Sequence, residues 1–245
     1  EYGKLIRKAF IPSSNSIILS SDYSQIELRV MSHMAKIDSY KDAFKNGIDV
    51  HTKTASDIFK VEPDEVTKDM RRNAKAVNFG IIYGISSFGL SEDLGINVRD
   101  AKKFIDDYLD TFPGIRDFMD KTIKEAYEKG YVKTLFNRKR VIDELKNKNY
   151  IIRSSGERMA LNTPIQGTAA DIIKMAMIKI QDKIDELSLN TKMLVQVHDE
   201  LVFTVPKNEV EIVSKLIQDI MENIYQFSVP LKVDIEYGNN WYEAK

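Results

Sequence analysis

The runs that read as buried β-strands lie near the two ends of this sequence, with a long, mostly helical stretch between them. Ile17-Ile18-Leu19 is a short β-branched run that passes through Ser20-Ser21 into Asp22, the pattern of a buried strand running out into an acid. Far along the chain, Met193 to Val197 and Leu201 to Val205 are apolar strands separated only by His198-Asp199-Glu200. That spacing predicts a tight hairpin with two carboxylates at its tip. A last helix, about Val210 to Tyr225, and a strand, Leu231 to Glu236, follow. One sheet must therefore be assembled from both ends of the chain. The fold class expected is α+β, with a mostly helical insertion.

Inside the insertion the period changes from two to 3.6. Ile26, Val30 and Met34 recur at i, i+4, i+8, and helical patterning continues to about Tyr127, punctuated at Pro63, Gly84, Gly95 and Pro113-Gly114. Tyr131 to Ile142 reads as a β-hairpin with a basic turn, Asn137-Arg138-Lys139-Arg140. After Thr163-Pro164, residues Ala169, Ile173, Ala176, Ile180 and Ile184 make an apolar stripe, as on an amphipathic helix packed on a sheet.

Composition excludes several chemistries. The 245 residues contain no Cys, so disulfides, thiolate metal sites and thiol nucleophiles are ruled out, and only His33, His51 and His198 offer imidazole. With 36 basic and 37 acidic side chains the net charge is -1, which leaves room for a local basic face but not a uniform one. No apolar run approaches the roughly 18 residues of a membrane span, and the start, Glu1-Tyr2-Gly3-Lys4, is no signal peptide. A cytoplasmic protein is expected, free of membrane. The absent initiator Met suggests a piece of a longer chain or a processed terminus.

Three patterns could carry chemistry. Asp22 and Asp199 end different strands beside apolar residues, where an ionised carboxylate needs a cation or strong donors. Together they suit a divalent metal such as Mg²⁺; separately, Asp22 caps a helix and Asp199 is a turn residue. In the helix Thr67 to Gly84, Arg71, Lys75, Phe79 and Tyr83 fall on one arc, and Met70, Ala74, Val77 and Ile81 fall on another. Two cations followed by two aromatics could clamp a polyphosphate and stack on a base or sugar, or simply form a solvated basic face. Arg138, Lys139, Arg140, Lys146, Lys148, Arg153 and Arg158 make one stretch locally basic, able to track phosphates or to be solvated. Separately, Ser24-Gln25-Ile26-Glu27 has the form of a capping box, in which Glu27 reaches back to the Ser24 N–H.

Taken together, these segments resemble the polymerase domain of family A DNA polymerases, the bacterial DNA polymerase I type. Asp22-Tyr23-Ser24-Gln25-Ile26-Glu27-Leu28-Arg29 resembles motif A, Arg71 through Gly84 resembles motif B, and Val197-His198-Asp199-Glu200 resembles motif C. The likeness extends to Asp49-Val50-His51, Thr163-Pro164-Ile165-Gln166-Gly167 and Gly238-Asn239-Asn240-Trp241. It implies a palm at residues 1–50 and 153–245, with fingers at 51–152. It implies that Asp22 and Asp199, assisted by the Tyr23 carbonyl, hold two Mg²⁺ ions, with Glu200 an accessory acid. Arg71, Lys75, His51 and Gln25 would meet the incoming dNTP, Phe79 its sugar and base, and Tyr83 the templating position, with Lys75 also the general acid. Glu27 would gate against a 2′-hydroxyl and could bond Tyr83. Arg158, Asn162, Gln166 and His198 would face primer-template DNA.

The expected activity is template-directed DNA synthesis in replication and repair, by a monomer. The family's thumb and its exonuclease or nuclease domains would precede Glu1, so a palm-and-fingers part is expected. A fragment that only binds primer-template or dNTP is the alternative. A metal-dependent nuclease would use the same acids but leave the Arg71 to Tyr83 face unexplained.

Overall fold

The computed structural model describes residues 5–245. Contacts divide the chain into two compact units: one runs through Ile26 and takes up Ala169–Gln226 and Pro230–Lys245, and the other is Glu27–Thr168 with Phe227–Val229.

In the first unit, strand β1 (Ser16–Tyr23) is longer than its apolar triplet and is buried along most of its length. It is central because both its edges are paired. The second unit takes over almost immediately: α1 (Ile26–Met34), α2 (Asp38–Lys45), α3 (Val50–Phe59), α4 (Lys68–Ile82), α5 (Ser87–Leu94), α6 (Val98–Thr111) and α7 (Pro113–Lys129) follow one another. The expected punctuation marks their ends. Gly84 and Gly95 adopt left-handed φ of 65° and 67°, and Pro113 opens α7, where its missing N–H costs nothing. Strands β2 (Tyr131–Lys133) and β3 (Lys139–Val141) form the small basic hairpin.

Helix α8 (Tyr150–Glu186) departs from expectation, because the pattern predicts a helix only after Thr163-Pro164 and the helix instead runs straight through Pro164. A proline in a helix interior loses one bond and crowds the preceding turn. Here the neighbouring hydroxyls and the basic hairpin brace the break. Thr163 Oγ1 donates to the Met159 carbonyl at 2.6 Å and accepts from Arg140 Nη1 at 3.1 Å. Thr168 Oγ1 accepts from the Leu135 N–H at 2.9 Å, and Arg138 Nη2 reaches the Gly167 carbonyl at 2.9 Å. The basic stretch is thus partly spent on structure.

The end of α8 belongs to the first unit, and the expected stripe is where it packs: Ile173, Ala176, Ile180 and Ile184 are buried. Strands β4 (Lys192–Val197) and β5 (Glu200–Pro206), helix α9 (Val210–Asn223) and strand β6 (Val233–Gly238) complete the unit. The four-stranded antiparallel sheet has the order β4-β5-β1-β6, so β1 from the start of the chain lies between strands from its end. Leu19, Phe203, Val205, Ile217 and Met221 are buried in the core of the unit, and on the other face of the sheet Ile18 packs with Val202, Trp241 and Ala244.

Candidate functional site

Sheet register decides which acids meet. Asp22 lies directly opposite Glu200 on β5 and opposite Asp234 on β6, so the three side chains share one face. The β4–β5 turn contracts to His198 and Asp199, with His198 at a left-handed φ of 55°. The Tyr23 N–H donates to the Asp199 carbonyl at 3.2 Å, which pins the turn to the end of β1. Tyr23 alternates to the other face, where its hydroxyl donates to the buried Met221 carbonyl at 2.8 Å, so its backbone is what it can offer the acids.

The acids differ sharply in their surroundings. Glu200 is 1% exposed and saturated: its Oε1 accepts from Ser20 Oγ and Trp241 Nε1, both at 2.7 Å, and Oε2 accepts from Lys245 Nζ at 2.5 Å. Burial alone would raise its pKa, but these donors hold it below the usual range. Asp22 is the opposite case. Its Oδ1 is buried with no hydrogen-bond partner, and its Oδ2 lies 4.0 Å from Lys245 Nζ. Burial, then the Asp199 charge, with smaller pushes from Glu200 and Asp234, lift Asp22 to about 6 against the pull of Lys245.

A buried, unpaired carboxylate oxygen crowded by other carboxylates is what a hard divalent cation would relieve. Among the described residues no three His, Asp or Glu side chains form a closed metal cage. With Glu200 committed to Lys245 and Trp241, Asp22, Asp199 and Asp234 are the carboxylates left to fit such an ion, with the Tyr23 carbonyl at the same strand end.

In the second unit, α4 starts at an N-cap, with Thr67 Oγ1 accepting from the Met70 N–H at 3.2 Å. Its two faces separate as the period requires: Ala74, Val77 and Ile81 are buried, whereas Arg71, Lys75 and Tyr83 are exposed and Phe79 is half-buried. Lys75, Phe79 and Tyr83 line an open groove of about 520 Å³ together with Arg72, Gly80 and Asp93. Arg71 is turned elsewhere. It holds Asp49 through two bonds, Nε to Oδ2 at 2.9 Å and Nη2 to Oδ1 at 3.1 Å. Burial works against ionisation of Asp49, yet Arg71 and Thr52 hold it at about 2. His51 is 3% exposed. Burial above all takes it down to about 4 against the pull of Asp49, with Arg71 and Lys75 adding smaller pushes in the same direction as burial, and its ring packs 5.7 Å from that of Phe79.

Glu27 and Tyr83 do meet: the Tyr83 hydroxyl donates to Glu27 Oε2 at 2.9 Å. The Ser24 N–H, which the expected capping box would give to Glu27, has a partner elsewhere. Gln25 takes a left-handed φ of 53° and α1 starts only at Ile26, while the Ser24 N–H donates to the Lys232 carbonyl at 2.8 Å.

The sequence profile of DNA polymerase family A matches residues 1–243. The chain belongs to DNA polymerase family A. DNA polymerase I of Bacillus subtilis is 54% identical, and that of Bacillus caldotenax 51% identical, each over the whole of this chain. The chain spans 28% of the length of either relative. Among solved structures, the polymerase domain of Pol1 from M. smegmatis, in complex with DNA primer-template and dNTP, matches with a TM-score of 0.95 at 41% identity. That match covers 100% of this chain and 43% of the other.

The expected DNA-facing residues of α8, Arg158, Asn162 and Gln166, are four apart and line one helical face. Arg158 and Gln166 are exposed, and Asn162 Oδ1 is buried with no partner. His198 is exposed on the first unit. Sequence reasoning gave no role to Asp49, Asp234 or Lys245, whose importance comes from partners distant in the chain. The alternation in β6 was the one signal that could have placed Asp234 on the face of Asp22.

Proposed function

We propose that this chain is the metal- and nucleotide-binding part of a template-directed DNA polymerase. It would join a dNTP to a primer 3′-hydroxyl and release pyrophosphate. The observation that carries this reading is the buried Asp22 Oδ1 without a hydrogen-bond partner, set by sheet register beside Asp199 in a chain of this family. In this reading residues 1–50 and 153–245 are palm and 51–152 fingers, and the protein works as a cytoplasmic monomer on primer-template DNA.

Asp22, Asp199 and the Tyr23 carbonyl would hold two Mg²⁺ ions. When bound, these supply Lewis-acid stabilisation of the attacking and leaving oxygens. The remaining chemistry belongs to the side chains. The 3′-hydroxyl oxygen attacks the α-phosphorus, the bond to pyrophosphate breaks, and the hydroxyl proton is lost. In this reading Lys75, exposed and without an ion pair among the described residues, would offset charge on the pyrophosphate and give its Nζ proton to the leaving oxygen. Arg71 must share or exchange Asp49 for a phosphate. Phe79 offers its half-buried ring to the sugar and base, and Tyr83 borders the template position. Gln25, held by its left-handed turn, lies next to the Asp22 strand end, and Glu27 crowds the ribose 2′ position. Glu200 acts through Lys245 and Trp241 by keeping the strand end rigid.

In a complete polymerase carrying this sequence, single-turnover addition of one templated deoxynucleotide should proceed with Mg²⁺, and Lys75→Ala should slow it by about 100-fold or more. A complete enzyme that binds primer-template and dNTP but adds nothing would leave only a binding role.

A further inference from the structure

The second unit buries a polar network that none of the steps above uses. Tyr40 on α2, Thr54 on α3, Asn78 on α4 and Tyr108 on α6 are fully buried, and they end on His51. The Tyr40 hydroxyl lies 2.6 Å from Asn78 Oδ1, 3.1 Å from the Tyr108 hydroxyl and 3.0 Å from Thr54 Oγ1. Asn78 Nδ2 lies 3.0 Å from both His51 Nδ1 and Thr54 Oγ1. Thr54 Oγ1 also donates to the Val50 carbonyl at 2.8 Å.

These distances give the network a direction. A separation of 2.6 Å is ordinary for O–H···O and short for N–H···O, so the amide oxygen of Asn78 faces Tyr40 and its NH₂ faces His51. Tyr40 spends its one proton on Asn78, which makes Tyr108 the donor to Tyr40. Thr54 spends its proton on Val50 and accepts from Asn78, so its 3.0 Å contact with Tyr40 carries no proton. His51 Nδ1 receives the remaining amide proton and must be the bare nitrogen. Its proton therefore sits on Nε2, which bonds to no described residue.

We propose that Asn78, oriented by Tyr108 and Tyr40, positions His51 as a neutral Nε2–H donor to a phosphate oxygen of the incoming nucleotide. This rests on the reading of His51 as a triphosphate contact. The groups around the ring agree with a neutral imidazole: it is buried and faces the cations Arg71 and Lys75, with Asp49 already held by Arg71. Four helices converge on one amide to settle where a single proton sits. A simple space-filling core would not need that arrangement.

Nitrogen-15 NMR of a histidine-labelled complete polymerase, with His51 assigned by signal loss in His51→Ala, reads the tautomer directly. The expected result near neutral pH is a bare Nδ1 and a protonated Nε2; a protonated Nδ1 overturns the proposal. Tyr40→Phe removes the hydroxyl that holds Asn78 Oδ1. It should admit a second tautomer and raise KM for the templated dNTP about 3- to 10-fold, with kcat changed less than about twofold. If Tyr40→Phe matches the parent in both tautomer and KM, the orienting role is refuted. If His51→Ala leaves KM for dNTP unchanged, the triphosphate reading has failed instead, whichever tautomer is found.

Discussion

Asp22 sets folding against function at the scale of one residue. Its ordinary value of 3.8 is lifted to about 6 in the folded chain, so the folded state binds its proton more tightly than the unfolded state does. The cost of ionising it is absent below about 3.8 and grows as pH rises through about 6. In metal-free solution at pH 8, Asp22→Asn should therefore melt higher than the parent, and the difference should vanish by pH 4. The side chain is 40% exposed, so solvent screens part of the repulsion. A gain of about 2 °C is expected by calorimetry. Mg²⁺ should then raise the melting temperature of the parent more than that of the variant; equal shifts would remove Asp22 from the metal site. Glu27 makes a second residue-scale prediction. Because its carboxylate takes the Tyr83 hydroxyl, Glu27→Ala should raise ribonucleotide incorporation relative to deoxynucleotide by about tenfold or more. An unchanged ratio, measured with matched templates, would move the gate elsewhere. Asp22, Asp199 and Glu27 could be singled out as candidates because each sits in a distinctive local string. The grip of Arg71 on Asp49 was not, since the two residues lie 22 positions apart and only the folding of α3 against α4 joins them.

Elements were legible where one period governs them. The two faces of α4 follow from 3.6 residues per turn, and burial separates them as the pattern requires. Helix α8 was read as starting after Pro164, because the sequence shows the helix breaker but not the hairpin that braces it from 23 residues upstream. Strand β4 looked as apolar as β5, yet Leu194 and Val195 are 52% and 39% exposed because β4 lies at the sheet edge. Position within a sheet is a tertiary fact. The start of α7 offers an element-scale test. A Cβ on Gly114 would overlap the Ala35 carbonyl oxygen, a backbone atom just past the end of α1 that cannot swing aside. Gly114→Ala should cost about 1–3 kcal/mol in denaturant unfolding, since α7 must shift to admit it. A variant as stable as the parent would show that α7 can move freely away from α1.

At the scale of the whole molecule, the requirement that one sheet be built from both chain ends was legible from where the strands fall, and the order β4-β5-β1-β6 satisfies it. The register was not legible, and it is the register that puts Asp22 opposite Glu200 and Asp234. The proposed reaction depends on that closure, because Asp22 and Asp199 are 177 residues apart and act as a pair only when β1 enters between β5 and β6. The most direct measurement is single-turnover primer extension by a complete polymerase carrying this sequence, with Asp22→Ala and Asp199→Ala compared to the parent at saturating dNTP and Mg²⁺. Each variant should bind primer-template and melt like a folded protein while extending at background rate. Extension by either variant near the parent rate would contradict the assignment of these two carboxylates as the metal-holding pair.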